Sequence, residues 1–336
     1  MKIDAIMTVY NEKENLIISI PSIFNQTLPP RRLIIVDAGS TDGTTELIKR
    51  LSRKYPIRLI VKEGCNRSQG RNIAISKTST DYILCLNADA RLEKDCVENL
   101  VKVIGSSSKI GSVGAIQVYP KNQNYIAKAI WYIPGMAEIS EVRIPAIMRG
   151  DVEVKNTPCE CCLWRKKAVV DAGLFDEKLN WGEDPELHYR MRKKGWKILA
   201  TGKARFEHFY KNTLKKFIKQ QFFYGLGGFE MIIKSPRAAI EILGWKIFVF
   251  LSFLASLALI FINLSLFLIF ILVGLFFLFM LSIMVSLKVL KREKSLSFFF
   301  LVFIIHFIKH FMNILGICSF MYTFYKVLKS HIVVRC

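Results

Sequence analysis

Ile247 to Leu287 is a run of 41 residues without one charged side chain, and it constrains the fold more than any other stretch of the chain. At about 1.5 Å per helical residue and a hydrocarbon core of about 30 Å, the run is long enough to cross a bilayer twice, provided it turns near Asn263 or Ser265. A buried helical hairpin in a soluble protein would seldom lack charge on every face. The spacing predicts crossings over about 243–262 and 265–287. Ser295 to Leu328 is again apolar but contains His306, Lys309 and His310. A third crossing over 297–325 would place Lys309 near mid-membrane, where a charge usually faces a cavity or a partner. An interfacial hairpin would instead keep Lys326, Lys329 and Arg335 beside the cytoplasm. The uniformly hydrophobic stretch Phe298 to Ile305 favours three crossings.

Upstream of Gly244 the chain mixes apolar runs with charges as a soluble domain does. Its 48 Lys and Arg outnumber 27 Asp and Glu for a net charge of +21. The excess gathers beside the apolar segments, in Lys193 to Lys219 and at Lys288, Lys291, Arg292 and Lys294, so anionic membrane lipids are the simplest partner. A nucleic-acid role would need a basic groove apart from the membrane belt, and the sequence has none. The positive-inside rule places both groups, and with them the catalytic domain, on the cytoplasmic side of the cell membrane. Met1 to Asp4 leads straight into an apolar strand, with no signal peptide. Of eight cysteines, Cys159 and Cys162 form a C-x-x-C, but no second pair follows at zinc spacing, and a cytosolic location predicts reduced thiols.

Ile3 to Tyr10, Leu33 to Val36, Ile57 to Val61 and Tyr82 to Leu86 are short β-rich runs separated by helical patterns, which predicts a mostly parallel α/β sheet. Chemistry in such sheets sits at the carboxyl ends of strands. The residues found there are Asn11 and Glu12, then Asp37 leading into a Gly-, Ser- and Thr-rich loop, then Asn87, Ala88 and Asp89. Arg67 and Arg71 flank the start of a helix expected over Arg71 to Ser76, positioned to meet phosphates. Another helix is expected to begin near Pro185, with Glu183 and Asp184 just before it.

MTVYNE (Met7 to Glu12), IIVDAGSTDGT (Ile34 to Thr44), GRN (Gly70 to Asn72), LCLNADA (Leu84 to Ala90) and GEDPEL (Gly182 to Leu187) occur in an order and rough spacing that resembles family 2 glycosyltransferases. The resemblance covers about residues 3 to 230. It implies a single GT-A nucleotide-sugar transferase domain over 1–230, followed by interfacial and transmembrane helices over 231–336. It also implies that the first loop, with Tyr10 and Glu12, and Asp37 hold the nucleotide-sugar, and that the D-x-D-like Asn87, Ala88 and Asp89 hold the diphosphate and a divalent metal, Mn2+ or Mg2+. By the same resemblance, Asp184 is the base, and a late histidine, His208, is a further metal ligand. The chain departs from the pattern at Asn87, which stands where a carboxylate is usual and removes one charge from the metal site.

A base at Asp184 fits an acceptor hydroxyl, which must lose a proton during attack and so gives inversion, with Glu183 orienting base or acceptor. A polyprenyl phosphate needs no base. The expected function is therefore sugar transfer from a nucleotide-sugar to a hydroxyl of a lipid-linked saccharide. Two alternatives are a polyprenyl-phosphate glycosyltransferase and a non-catalytic nucleotide-sugar-binding membrane protein. Tyr119 to Arg149, with Trp131, Tyr132, Pro134 and Pro145, reads as a loop-rich acceptor region, and Gln220 to Trp245 as interfacial helix.

Overall fold

A computed structural model of the chain describes residues 1–120, 122–133, 147, 150–243 and 264–333. Residues 244–262 of the first expected crossing, Pro134 and Pro145 of the expected acceptor region, and Arg335 lie outside them. The chain divides into two units, Met1–Asn122 with Ala137–Tyr210, and Gln123–Met136 with Lys211–Cys336.

The first unit is built on one sheet. β1 (Ile3–Val9), β2 (Arg32–Asp37), β3 (Ile57–Val61) and β4 (Tyr82–Leu86) are mutually parallel in the order β3-β2-β1-β4, as their alternation with helices predicts. The sheet then turns mixed. Beyond β4 come β8 (Cys161–Arg165), antiparallel to it, then β6 (Ile110–Val118), then β9 (Lys197–His208), with β5 (Ala90–Leu92) and β7 (Val152–Glu153) both antiparallel to β9. Because β1 lies between β2 and β4, the strand order reverses there and opens a crevice at its carboxyl end.

Side chains alternate across each strand, which gives a core on both faces. Ile3, Ala5, Met7 and Val9 pack with Leu16, Ile20 and Ile23 of α1 (Lys13–Phe24) and with Leu100 and Val103 of α4 (Cys96–Gly105). Ile6, Ile34 and Ile83 face the other way. They meet Ala74 and Ile75 of α3 (Arg67–Ser76), Val169 of α6 (Lys166–Asp171), and Leu187 and Met191 of α7 (Glu183–Lys193). Helix α2 (Thr44–Leu51) follows the β2 loop.

Two helices start earlier than their apolar spacing suggests. Asn66 and Gln69 form a capping box, Gln69 N–H donating to Asn66 Oδ1 at 2.9 Å and Asn66 N–H to Gln69 Oε1 at 3.0 Å, so α3 begins at Arg67. Gly182, at φ 75°, takes the left-handed turn that starts α7 at Glu183. Gly70 lets α3 lie close on β1, since a Cβ there would come within 2.5 Å of Thr8 Cγ2.

Asp4 points into the sheet and is fully buried. It pairs with Arg31 and Arg32 at 3.2 Å each and accepts from Ser79 N–H at 2.8 Å. Burial pushes its carboxyl up, but the amide and the two guanidiniums outweigh that and hold it below the usual aspartate range. Its contribution is complete above about pH 4 and fades as pH falls through the lowered folded value. Asp4→Ala is expected to cost about 1–2 kcal/mol at neutral pH, because the Ser79 N–H loses its acceptor and two partly exposed arginines lose their partner. Urea unfolding of both proteins should show that gap closing in acid.

The second unit is helical. It contains α5 (Tyr125–Tyr132), α8 (Leu214–Lys234), α9 (Pro236–Leu243), α10 (Leu264–Glu293) and α11 (Leu296–Val333). Leu272–Glu293 and Leu296–Ile317 have mean hydropathies of 2.4 and 1.9 and are long and apolar enough to cross a membrane. Lys294, at φ 52°, turns the chain between them. Helix α11 is unbroken, so no hairpin occurs within Leu296–Val333, and Lys309 is buried against neighbouring helices. His306 Nδ1 lies 2.9 Å from Ser282 Oγ. Cβ atoms at Gly225 and Gly316 would each fall 2.1 Å from a backbone oxygen, of Asn313 and Phe222 respectively, so α8 and α11 meet backbone to backbone.

Candidate active site

The crevice at the end of β1 is lined first by two loops tied to each other. Asn11, at φ 54°, donates its N–H to Ser40 Oγ at 2.9 Å and accepts from Thr41 N–H at 2.8 Å. Ser40 Oγ donates in turn to Asp37 Oδ1 at 2.7 Å, which also accepts from Ser40 N–H at 2.9 Å, and the Thr45 hydroxyl donates to Asp37 Oδ2. Asp37 is completely buried, so its carboxylate shapes the loop from beneath. Tyr10, which follows β1, is 58 % exposed, and Glu12 accepts from Asn15 Nδ2 at 2.6 Å.

The two arginines near the start of α3 turn to different partners. Arg67 lies over the Trp181 ring at 4.6 Å. Arg71 is buried and points under the crevice, where Nη1 donates to Glu183 Oε1 and Asp184 Oδ1, each at 2.7 Å, and Nη2 to Asn87 Oδ1 at 3.3 Å. One guanidinium thus joins the end of β4 to the start of α7. Of the two carboxylates, Glu183 is 5 % exposed and Asp184 21 %, so Asp184 is the more open to solvent. Cys159 N–H donates to Asp184 Oδ2 at 3.0 Å, fixing the carboxylate from a second side. Burial pushes the Asp184 carboxyl well above the usual aspartate range, against the pull of Arg71. Behind it, the buried His188 ring lies 2.8 Å from the Asp184 carbonyl through Nδ1 and 3.1 Å from Thr157 Oγ1 through Nε2. Burial lowers its pKa to about 4, which makes His188 a neutral spacer at neutral pH.

Asp89 and His208 are brought together by the far edge of the sheet. Ala90 pairs with His208 across β5 and β9, and Phe209 N–H donates to the Asp89 carbonyl at 2.9 Å. His208 Nδ1 then lies 3.6 Å from Asp89 Oδ1, and neither atom makes a hydrogen bond although both are shielded from water. An orphaned carboxylate oxygen beside an orphaned imidazole nitrogen fits a divalent cation, which would satisfy both. Ala88, between Asn87 and Asp89, is buried.

Glu160 completes this corner and was not singled out by the sequence. It sits at the start of β8 because β8 runs antiparallel to β4, and its carbonyl accepts from Asn87 N–H at 3.2 Å. Its carboxylate accepts from Gln117 Nε2 and comes within 3.9 Å of His208 Nε2. Burial raises its pKa to about 7, with His208 pulling it down and Asp89 pushing it further up. The available signal was a lone charge inside the apolar run CECCLW.

Residues 4–174 match the family model described as Glycosyl transferase family 2. The poly-beta-1,6-N-acetyl-D-glucosamine synthase of Staphylococcus aureus (strain COL) is 24 % identical over 231 residues, covering 68 % of this chain and 55 % of that protein. The Staphylococcus epidermidis protein of the same name is 22 % identical over 242 residues, 71 % of this chain and 57 % of that one. The chain therefore spans about half the length of these curated relatives. Among solved structures, the mannosyltransferase PcManGT from Pyrobaculum calidifontis in complex with GDP-Man and Mn2+ superposes with a TM-score of 0.54 at 16 % identity, over 70 % of this chain and 64 % of that chain. Staphylococcus aureus TarS 1-349 in complex with UDP gives 0.51 at 14 % identity, over 73 % and 71 %. At such identities the likeness shows the fold, which is the GT-A fold.

Proposed function

Because the chain belongs to glycosyl transferase family 2, we propose that it transfers a sugar, with inversion, from a nucleotide-sugar to a hydroxyl of a lipid-linked saccharide at the cytoplasmic leaflet. The observation that carries the reading is Asp184, partly exposed in the crevice and held on both oxygens by Arg71 and the Cys159 amide. Each carboxylate oxygen keeps a second lone pair, so Asp184 can take the proton of an attacking hydroxyl without leaving these bonds. Its raised pKa makes it a stronger base than an ordinary aspartate. Glu183, buried against Arg71, positions that base instead of touching substrate. Tyr10, Glu12 and the loop held by Asp37 form the nucleotide side, and exposed Arg67 offers a cation toward phosphate.

Asp89 and His208 would hold the divalent cation, with Glu160 beside them. When bound, the ion supplies positive charge to the leaving nucleoside diphosphate. The mixed oxygen and nitrogen pair suits Mn2+ better than Mg2+, which prefers oxygen alone. Asp89→Ala is expected to weaken Mn2+ binding by at least about tenfold, read by titration without substrate. The lipid part of the reading is supported by the two long apolar helices of the second unit and by Lys288, Lys291, Arg292 and Lys294 at their turn.

The test is release of nucleoside diphosphate by the detergent-solubilised chain across a panel of nucleotide-sugars, with lipid-linked saccharide or polyprenyl phosphate as acceptor. Turnover that needs the saccharide is the expected result. Turnover with polyprenyl phosphate alone, surviving in Asp184→Asn, would move the reading to a polyprenyl-phosphate transferase.

A further inference from the structure

The sequence shows one C-x-x-C and no second pair, but the fold supplies a third thiol from elsewhere. Cys85 on β4 stands directly opposite Cys162 on β8, and Cys159 lies just before β8 begins. All three are buried in the same core, and their sulfurs lie within 4.8 Å of one another. Cys161, between them in sequence, faces the opposite side of the sheet, where its sulfur is 3.8 Å from that of Cys96. Strand alternation has therefore sorted the cysteines into a trio and a pair.

We propose that Cys85, Cys159 and Cys162 form a binding site for a thiophilic d10 cation, Zn2+ or Cu+, behind the catalytic crevice. Three sulfurs about 2.3 Å from one ion lie about 4 Å apart, so small rotations of side chains already this close would close the set. Each thiol that becomes a ligand releases its proton to solvent. Soft thiolates select these ions over Mg2+ or Mn2+, which separates this site chemically from the one at Asp89 and His208. Two considerations divide the candidates. Among the described residues no fourth His, Cys, Asp or Glu atom joins the group, which favours three-coordinate Cu+. A divalent ion leaves less negative charge to bury, which favours Zn2+. The proposal does not depend on the transferase reading. It has a consequence for it, because the Cys159 amide holds Asp184 and an ion on the Cys159 sulfur would fix that segment.

The experiment is titration of the chain in detergent, without oxygen, with Zn2+ in one arm and Cu+ in the other, each against a competing chelator. One tightly held equivalent of either ion is expected, lost in Cys85→Ser and in Cys162→Ser and retained in Cys96→Ser. X-ray absorption of the loaded wild-type chain, which needs no variant to fold, should show a shell of three sulfurs. Uptake that survives both substitutions, a shell dominated by nitrogen or oxygen, or no uptake of either ion would overturn the proposal.

Discussion

Asp184→Asn is expected to lower turnover with a hydroxyl acceptor by about 10²- to 10⁴-fold, the range a positioned general base contributes, while donor binding stays close to wild type. The substitution keeps an oxygen for Arg71 but turns an amide donor toward the Cys159 N–H, so a melting curve should accompany the kinetics. The wild-type pH profile carries the same information. The base must be unprotonated to act, and burial raises its pKa, so activity should fall as pH falls through a value well above the ordinary aspartate range near 4. An acid limb at ordinary aspartate pH, with Asp184→Asn fully active, would remove Asp184 from the chemistry.

Arg71→Met carries the second large effect, on stability. Arg71 is the common partner of Glu183, Asp184 and Asn87, and removing it leaves two carboxylates without their cation at a buried junction. The expected cost is about 3–5 kcal/mol, read by denaturant unfolding. Loss of the positive charge also pushes Asp184 further up, so in Arg71→Met the acid limb of whatever activity remains should move to higher pH. Arg71→Lys keeps the charge without the fork and should restore most of the stability but not the geometry. A variant with an unshifted limb would show that Arg71 is only a structural tie.

Strand ends were the legible part of this site. The apolar runs of β1, β2 and β4 stop at Tyr10, Asp37 and Asn87, and a parallel sheet brings such ends to one edge whatever lies between them. What each side chain then does depends on partners far away in the chain. Asp37 reads as a ligand group but is consumed by Ser40 and Thr45, a hydrogen-bond contest that periodicity does not register. Arg71 reads as a phosphate contact because GRN precedes a helical run, yet Gly182 starts α7 early enough to set two carboxylates beneath it. Glu160 stayed hidden because its role comes from the reversal at β8, and strand direction is not written in an alternating pattern. The cysteines show the same limit from another side. A C-x-x-C is visible as spacing, whereas Cys85 joins it only through the β4–β8 register.

The pairing of β5 with β9 has a consequence for synthesis. Asp89 emerges from the ribosome with its strand and loop, but His208 follows only after β6, α7 and most of β9 have been made, on the order of ten seconds later at ordinary elongation rates. Until then the crevice has the loops that follow β1 and β2 and half of its candidate metal pair. Helices α8 and α9 and then the long apolar helices are made after it, so His208 precedes all of these helices. A chain built in this order completes the Asp89–His208 pair before the segments long and apolar enough to cross a membrane have been made.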